Sequence, residues 1–141
     1  NYRYLELEHS AWVRTAYCCP YRCKFCHRNR MNCGKYVYRD IEDVVNEIEE
    51  IKTDNIYIVD DDFLFNKERL KKFVSLIKKR KINKKYTCYG RSDFIAQNED
   101  LMSELKEIGL YYVLVGLEAI SDNNLNNYNK KSNVNNNSIF V

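Results

Sequence analysis

The chain has 141 residues, 45% of them hydrophobic and 30% charged, which is enough apolar material for one globular domain with a sizeable core. Its 23 Lys and Arg residues against 20 Asp and Glu give a formal charge of +3, which is too balanced to indicate nucleic-acid binding by itself. No apolar run is long enough to span a bilayer, so we expect no membrane role.

The cysteines carry the first functional signal. Five of the six lie within residues 18–33, and such clustering favours metal chemistry in a reducing cytosol over a disulfide-linked extracellular scaffold, so we expect a cytoplasmic protein. Cys19, Cys23 and Cys26, the motif cysteines, have the spacing C-x3-C-x2-C. Because thiolates are soft ligands, three of them around one backbone bend predict an iron–sulfur cluster or a bound metal ion.

The first part of the chain predicts a lead-in segment, a strand and a loop. Residues 1–10 alternate weakly between apolar and polar side chains, as a lead-in or a short edge strand would. Residues 11–17 are rich in aromatic and branched side chains and predict a strand, which Pro20 ends. The cysteine loop follows this strand directly.

Three amphipathic helices are predicted beyond the loop. Asp40, Asn66 and Asn98 are good N-caps, and each precedes apolar residues spaced three and four apart. Gly109 ends the third of these patterns, because glycine readily takes the backbone conformation that stops a helix.

Predicted strands lie between these helices in the sequence and after the last of them. Residues 55–59, 86–89 and 110–115 are short apolar runs of strand length. Ser121 begins a weaker helical pattern. Asparagine is a poor helix former, so the Asn-rich segment from Asn123 onward predicts a frayed or disordered end.

This alternation of strands and helices predicts an α/β fold with right-handed crossovers and a parallel sheet. The strands are continuous apolar runs, so we expect both faces of the sheet to be covered. Each strand is followed by polar or small residues, and in parallel folds such ends lie together at one edge, where ligands bind. The four ends are Cys18-Cys19, Asp60-Asp61-Asp62, Gly90-Arg91 and Gly116-Leu117-Glu118.

With these strand ends in place, the chain resembles the radical S-adenosylmethionine (radical SAM) superfamily over residues 11–131. The family's cluster motif, C-x3-C-x-aromatic-C, is matched by the motif cysteines with Phe25 as the aromatic residue. Asp60-Asp61-Asp62-Phe63 is similar to the D-D-x-F signature, and Gly116-Leu117-Glu118 to the G-L-E signature, of a branch that is often cobalamin-dependent or methylthiotransferase-like.

The resemblance implies a partial parallel (β/α) barrel, with about four of the family's six βα units, and a radical SAM enzyme. It implies that Cys19, Cys23 and Cys26 bind a [4Fe–4S] cluster whose open iron takes S-adenosylmethionine (SAM). An electron from the cluster then cleaves the sulfonium to a deoxyadenosyl radical, which acts on an unknown substrate. A donor such as flavodoxin or ferredoxin is expected to supply the electron.

The resemblance also implies which residues contact SAM. Phe25 lies near the adenine. A carboxylate of the aspartate run, Asp60 or more specifically Asp61, holds the methionyl ammonium, since a cationic amine favours a charge-assisted bond to an anion. Arg91 pairs with the methionyl carboxylate, a geometry that a guanidinium suits. Glu118 contacts the ribose hydroxyls.

The resemblance covers only part of the family barrel. Because two of the six βα units are missing, and because the first residue is Asn1 rather than Met, we expect a fragment of a longer polypeptide with further domains. Cobalamin is a candidate cofactor of that full-length protein. We divide the chain into a lead-in (1–10), a partial radical SAM core (11–120) and an incomplete, Asn-rich segment (121–141).

Two other interpretations of the cysteine loop stay open on the residues alone. A zinc-binding cysteine-knot module for RNA or protein binding, without catalysis, would use the motif cysteines and a fourth ligand from Cys18, His27 or Cys33. Haem attachment would use the C-x-x-C-H pattern that ends at His27. The acidic run and Arg91 at the same sheet edge favour the cluster. RNA binding by the module would use Arg22, Lys24, Arg28, Arg30 and Lys35.

Overall fold

The structure, a computed structural model, describes residues 9–31 and 35–138; the predicted lead-in up to residue 8 and Cys33 lie outside the described residues. The strands are β1 (Ser10–Val13), β2 (Ala16–Tyr17), β3 (Val37–Tyr38), β4 (Asn55–Ile58), β5 (Lys85–Gly90) and β6 (Leu110–Val115). The helices are α1 (His27–Met31), α2 (Ile41–Glu50), α3 (Lys67–Arg80), α4 (Ser92–Gln97), α5 (Glu99–Glu107), α6 (Asp122–Asn127) and α7 (Val134–Ser138).

Four strands form one parallel sheet in the order β1-β4-β5-β6. Trp12 lies opposite Tyr57 on β4, and Thr87 on β5 lies opposite Tyr112 on β6. Helices link successive strands of this sheet, as parallel pairing requires. The predicted α/β class and its parallel sheet of four strands are confirmed, and the carboxyl ends of the strands lie at one edge.

The two long helices begin where their caps predict. The Asp40 carboxylate accepts a hydrogen bond from the Glu42 amide at 2.7 Å, and the Asn66 side chain accepts one from the Arg69 amide at 3.0 Å. Each bond satisfies a backbone donor that has no partner within its helix. α2 and α3 therefore start at the residues that follow these caps.

Asn98 differs from its predicted role. Its side-chain nitrogen donates to the Phe94 carbonyl at 2.8 Å and thereby closes α4, and it makes no side-chain cap bond to α5. α4 was not predicted, because six residues are too few to show a helical repeat. Gly109 has φ of +105° and follows the end of α5, as predicted.

Helices cover one face of the sheet. Phe73 of α3 contacts Phe63 and Tyr86 edge-on, with ring centroids 5.6 and 5.5 Å apart, and this cluster is buried. The expectation that both faces are covered is wrong for the described residues. Trp12, Tyr89 and Tyr112 on the opposite face are 67%, 42% and 55% exposed.

The predicted strand over residues 11–17 is two strands. The chain turns after Val13, where Thr15 bonds to Asp60, and β2 then pairs antiparallel with β3. Residues 16–17 and 37–38 thus form a separate two-stranded ribbon beside the main sheet. This pairing depends on contacts between distant residues, so no local pattern in the sequence indicates it.

The Asn-rich segment also differs from expectation, because residues 121–138 contain α6 and α7 rather than a frayed end. Leu125 is fully buried, and the Asn137 side chain donates to the Leu117 carbonyl at 3.0 Å. These long-range contacts override the weak helix propensity of asparagine. The division of the chain at residues 10 and 120 stays a prediction. In the described part of the chain, no helix has the length and apolarity to cross a membrane.

Candidate functional site

A cavity of about 830 Å³ lies at the carboxyl ends of the sheet strands. The ends of β5 and β6, the turn after β4 and the cysteine loop form its walls. The structure therefore brings together most of the residues that the sequence singled out. Those lining the cavity are Cys19, Cys23, Phe25, Cys26, Asp61, Arg91 and Glu118.

Contacts with distant parts of the chain position the cysteine loop. The Lys24 amide donates to the Tyr128 carbonyl at 2.9 Å, and the Asn129 side chain donates to the Arg22 carbonyl at 2.8 Å. Within the loop, the Cys26 amide donates to the Cys23 carbonyl at 3.1 Å. The segment after α6 thus holds the loop in place from outside, which explains how a stretch with little secondary structure of its own keeps three thiols at one cavity.

The motif cysteines are free thiols that face the same cavity. Cys23 is buried, and Cys19 and Cys26 are half-buried. Burial raises the pKa of Cys19 to about 11 from 9.0, so its thiolate needs a cationic partner. Among residues 9–31 and 35–138, no three His, Cys, Asp or Glu side chains converge on a point that one metal ion could occupy. In a four-iron cluster each cysteine binds a different iron atom, so the three thiolates lie farther apart than they would around one metal ion.

Asp60, which follows β4, is hydrogen-bonded to the turn after β1, and its assignment to cofactor binding stays a prediction. Its Oδ1 accepts hydrogen bonds from the amides of Thr15 and Ala16 at 2.7 and 2.9 Å, and its Oδ2 accepts one from the Thr15 hydroxyl at 2.5 Å. The residue is 2% exposed and does not line the cavity. Asp60 fixes the turn between β1 and β2, and the cysteine loop follows β2.

The two aspartates that follow face the cavity. Asp61 Oδ1 pairs with Arg28 Nε at 3.1 Å, whereas its Oδ2 is buried without a partner. Asp62 is 2% exposed; the Leu64 amide lies close enough to stabilise its carboxylate, but no side chain in the described structure donates a hydrogen bond to either oxygen. Burial raises the pKa of Asp62 to about 7 from 3.8, although the nearby Arg91 charge opposes this shift. Unpaired buried carboxylate oxygens are costly, so this wall favours a cationic ligand.

Arg91 follows β5, as predicted, but its guanidinium already has partners. Nε and Nη2 donate to Asp93 at 2.9 and 2.8 Å, and Nη2 also donates to the Lys130 carbonyl. Nη1 lies 4.0 Å from the Cys23 sulfur, and the Tyr21 ring stacks 3.8 Å from the guanidinium carbon. Arg91 is thus held rigidly beside the cysteine loop, and Nη1 is the nitrogen least occupied by strong acceptors.

Glu118 lies at the cavity wall in a backbone conformation unusual for its type, with φ of +68°. Lys130, which is 6% exposed, donates from Nζ to its carboxylate at 3.2 Å. A side chain on Gly116 would collide with this carboxylate, which would then have to leave the position in which Lys130 holds it. The Glu118 carboxylate is therefore held between Gly116 and the buried ammonium group of Lys130.

Phe25 is 49% exposed at the cavity wall, where its ring meets the Tyr128 ring edge-on at 5.8 Å. Tyr128 is 39% exposed. This exposed aromatic surface is available to a planar ligand, whereas the thiols lie deeper.

Sequence reasoning assigned no role to Asp62, Lys130 or Tyr21. Three successive aspartates give no sign of which side chain faces inward, because the alternation of a strand stops at its end. Lys130 lies 12 residues beyond Glu118, in a segment whose composition indicated disorder. The sequence gives one indication that Tyr21 lies at the site, which is its position between the motif cysteines Cys19 and Cys23.

Comparison with known proteins matches residues 13–138 to the Radical SAM superfamily. A hopanoid C-3 methylase from Methylococcus capsulatus is 26% identical over 113 residues, which cover 80% of this chain and 22% of that protein. The chain therefore spans about a fifth of the length of this curated relative.

Two solved enzymes have similar folds. OxsB, a cobalamin-dependent SAM radical enzyme determined with aqua-cobalamin and SAM, superposes with a TM-score of 0.78 at 18% identity, over 91% of this chain and 21% of OxsB. TsrM from Kitasatospora setae, a radical SAM methyltransferase determined with tryptophan and a SAM analogue, has a TM-score of 0.69 at 20% identity, over 89% of this chain and 25% of TsrM. The family implies a [4Fe–4S] cluster and SAM. Since the family match covers most of its residues, the chain belongs to the radical SAM superfamily of enzymes.

Proposed function

We propose that this chain forms the part of a radical SAM enzyme that binds a [4Fe–4S] cluster and SAM and cleaves SAM reductively. The observation that carries the proposal is the grouping of three motif thiols with two incompletely paired buried carboxylates around one cavity. Each side-chain type in that cavity suits one part of the two cofactors.

The thiols fit an iron–sulfur cluster. Cys19, Cys23 and Cys26 supply three soft ligands and leave one position of a four-iron cluster without a protein ligand. The zinc alternative has less support, because zinc needs four ligands around one ion and no such group is found among the described residues. Its candidate ligand Cys33 lies outside them.

The acidic wall fits the ammonium group of SAM. No side chain in the described structure donates to Asp62 or to the second oxygen of Asp61, so an ammonium would supply the missing hydrogen bonds. Asp62 thereby joins Asp61, the residue that the family resemblance indicated. Its burial excludes water from the bond and strengthens it.

The remaining walls fit the other polar parts of SAM. Arg91 Nη1 is directed toward the cysteine loop and can receive the methionyl carboxylate, while Asp93 holds the other nitrogens in place. Glu118, fixed by Lys130, can accept hydrogen bonds from the ribose hydroxyls. Phe25 offers its exposed ring beside the adenine.

When bound, the two cofactors supply one-electron cleavage of the sulfonium and a radical that abstracts hydrogen. The chain positions the two cofactors and excludes water from the site. The loop bonds to Tyr128 and Asn129 fix the thiols, and the buried Asp62 and Arg91 hold opposite charges on neighbouring walls.

The test is anaerobic reconstitution of the full-length protein with iron and sulfide, followed by reduction with dithionite, addition of SAM and measurement of 5′-deoxyadenosine. We expect about four irons in the site and release of deoxyadenosine. The variant with Cys19→Ala, Cys23→Ala and Cys26→Ala should lose both. The matched control, Cys18→Ala, removes a neighbouring thiol and should retain both. A colourless, zinc-loaded protein that leaves SAM intact would contradict the proposal.

The relatives support a narrower proposal, in which the full-length protein is a cobalamin-dependent radical SAM methyltransferase. OxsB is cobalamin-dependent, TsrM is a methyltransferase and the M. capsulatus relative is a methylase. Cobalamin, further domains of the same polypeptide and an external electron donor all belong to this proposal. Its test is transfer of labelled methyl groups from SAM to added cobalamin by the full-length protein.

A further inference from the structure

The backbone at Glu118 has a conformation that residues other than glycine rarely adopt, with φ of +68°. The Ala119 amide donates to the Leu117 carbonyl at 2.8 Å, so Glu118 lies at the centre of a three-residue γ-turn. γ-turns with a positive φ are rare and strained, and they persist only where the surrounding structure fixes them. The contacts that fix this turn therefore bear on the use of the Glu118 carboxylate at the cavity.

One amide side chain holds the peptide groups on both sides of Glu118. Asn137 Nδ2 donates to the Leu117 carbonyl at 3.0 Å and to the Ala119 carbonyl at 3.2 Å. Both bonds act on the backbone of the turn, whereas Lys130 acts on the carboxylate at the end of the Glu118 side chain. The conformation of Glu118 thus depends on a residue of α7.

The partners of Asn137 determine which way its amide faces. The two carbonyls can only accept hydrogen bonds, so the amide nitrogen must lie on their side. The amide oxygen then accepts from the Ser92 hydroxyl at 2.8 Å. Ser92 follows Arg91 directly and is the first residue of α4. Asn137 therefore connects the end of β6 to the end of β5.

This network is shielded from solvent. Asn137 is 6% exposed and Ser92 is buried. Both hydrogens and the oxygen of the Asn137 amide have partners. A buried polar network in which every member is satisfied favours a single arrangement of its side chains. Asn137 is therefore suited to hold Glu118 in one conformation.

The short helix that carries Asn137 is itself anchored. The Val134 amide donates to the Asp122 carboxylate at 2.7 Å, which joins the start of α7 to α6. The Asn136 amide donates to the Asn133 side chain at 2.9 Å. A segment whose composition indicated disorder thus supplies fixed contacts to the cavity wall.

We propose that Asn137 is a positioning residue for SAM binding, which directs the Glu118 carboxylate toward the ribose hydroxyls by holding the carbonyls on both sides of Glu118. This inference rests on the proposed function. Lys130 fixes the end of a flexible side chain, and Asn137 fixes the backbone from which that side chain starts. The bonds to the ribose then form with little further loss of conformational freedom, which strengthens binding.

A purely structural role for Asn137 would be to hold α7 against the rest of the domain. Removal of such a support would disturb Arg91 as well as Glu118, since Ser92 joins Asn137 to the Arg91 segment. It would therefore weaken the binding of every SAM-like ligand. Loss of positioning at Glu118 affects ligands that carry ribose hydroxyls, so the test varies the ligand as well as the protein.

The test measures the dissociation constants of SAM and of its 2′,3′-dideoxy analogue by equilibrium dialysis. The full-length protein is reconstituted anaerobically and its cluster is kept oxidised, so that SAM stays intact. The unmodified protein should bind the analogue about tenfold more weakly than SAM, because the analogue lacks the hydroxyls that would donate to Glu118.

Asn137→Ala should weaken SAM binding by about tenfold and change the binding of the analogue by less than about twofold, with its iron content unchanged. Ser92→Ala removes the donor that orients the Asn137 amide, and it should show the same selectivity with a smaller loss. The matched control, Asn127→Ala, removes an exposed asparagine of α6 and should bind both ligands normally.

Different results contradict this inference and the proposed function. Unchanged SAM affinity in Asn137→Ala, or an equal loss for both ligands, would overturn the positioning role. If Asn137→Ala does not retain iron, Ser92→Ala decides, and an effect there that is absent or equal for both ligands would overturn it. An unmodified protein that binds neither ligand, or binds both equally, would instead contradict the proposed function.

Discussion

Two regions of the molecule differ in how they are stabilised. Residues 40–117 form strands and helices whose apolar side chains pack into one core and whose helix cations pair with acids. Residues 9–39 contain short elements, the motif cysteines and no acids, and they depend on long-range hydrogen bonds to the rest of the chain. Residues 40–117 therefore stabilise the fold, whereas residues 9–39 carry the side chains of the chemistry.

Among the described residues, the junction between the regions holds three buried carboxylate oxygens that accept no side-chain hydrogen bond, and the Tyr86 hydroxyl in the core is a fourth such atom. Asp60 and Asp62 are both buried, but Asp60 bonds to the first region and no side chain donates to Asp62. One aspartate thus joins the regions, and the other is available for a ligand. Variants that act on one region alone test this division.

The largest expected effect is in the core. Phe73→Ala removes a 1% exposed ring that contacts Phe63 and Tyr86, so it should lower the free energy of unfolding by about 3–5 kcal/mol. Guanidinium unfolding of the cofactor-free protein measures this change. Tyr111→Ala, at a position 63% exposed, is the control and should change stability by less than about 1 kcal/mol. Similar losses in both variants would contradict the assigned core.

Asp62→Asn should stabilise the cofactor-free protein while it weakens SAM binding. The pKa of Asp62 is about 7 in the fold and 3.8 ordinarily, so the folded state holds its proton more tightly. Its contribution to stability therefore falls as pH rises from about 4 to about 7.

The difference between Asp62→Asn and the unmodified protein should be near zero at pH 4 and reach up to about 4 kcal/mol at pH 8. Chemical unfolding at a series of pH values measures it. A difference that does not vary with pH would contradict the burial of an unpaired carboxylate.

Asp60→Ala should loosen the connection between the regions. It leaves three donors on Thr15 and Ala16 without their acceptor, so a loss of about 2–3 kcal/mol is expected. Hydrogen exchange should accelerate at the amides of these two residues before it does in α3. Asp54→Ala, whose carboxylate is 83% exposed, should leave exchange unchanged. Uniform acceleration across the chain would show that the regions are not separable.

The smallest effect concerns a helix start. Asn66→Ala removes the bond to the Arg69 amide and should lower the free energy of unfolding by about 1 kcal/mol. Asn66→Asp retains an acceptor and should restore most of that stability, as thermal or chemical unfolding would measure. If neither substitution had an effect, the cap would not contribute to α3.

Sequence patterns predicted the core region well. Periodic apolar residues and caps located α2, α3 and the strands, because these features act over neighbouring residues. The two-stranded ribbon, the short α4 and the helices of the Asn-rich segment were missed. The ribbon and the Asn-rich helices depend on contacts such as those of Asn137 with Leu117, which join residues distant in sequence, whereas α4 is too short to show a helical repeat.

The site was predicted in part. Strand ends in a parallel fold share one edge, so motif cysteines, Asp61, Arg91 and Glu118 could be expected near one another. Which aspartate faces the cavity could not, since it depends on the turn after β4. That Arg91 is already paired with Asp93, two residues away, was likewise not evident from the sequence.

The most direct test of the central claim is the electron paramagnetic resonance spectrum of the reconstituted, reduced full-length protein before and after addition of SAM. We expect the signal of a reduced [4Fe–4S] cluster that changes when SAM binds, and no such signal from the Cys19→Ala/Cys23→Ala/Cys26→Ala variant. A cluster signal retained in that variant, or one that SAM leaves unchanged in the unmodified protein, would contradict it.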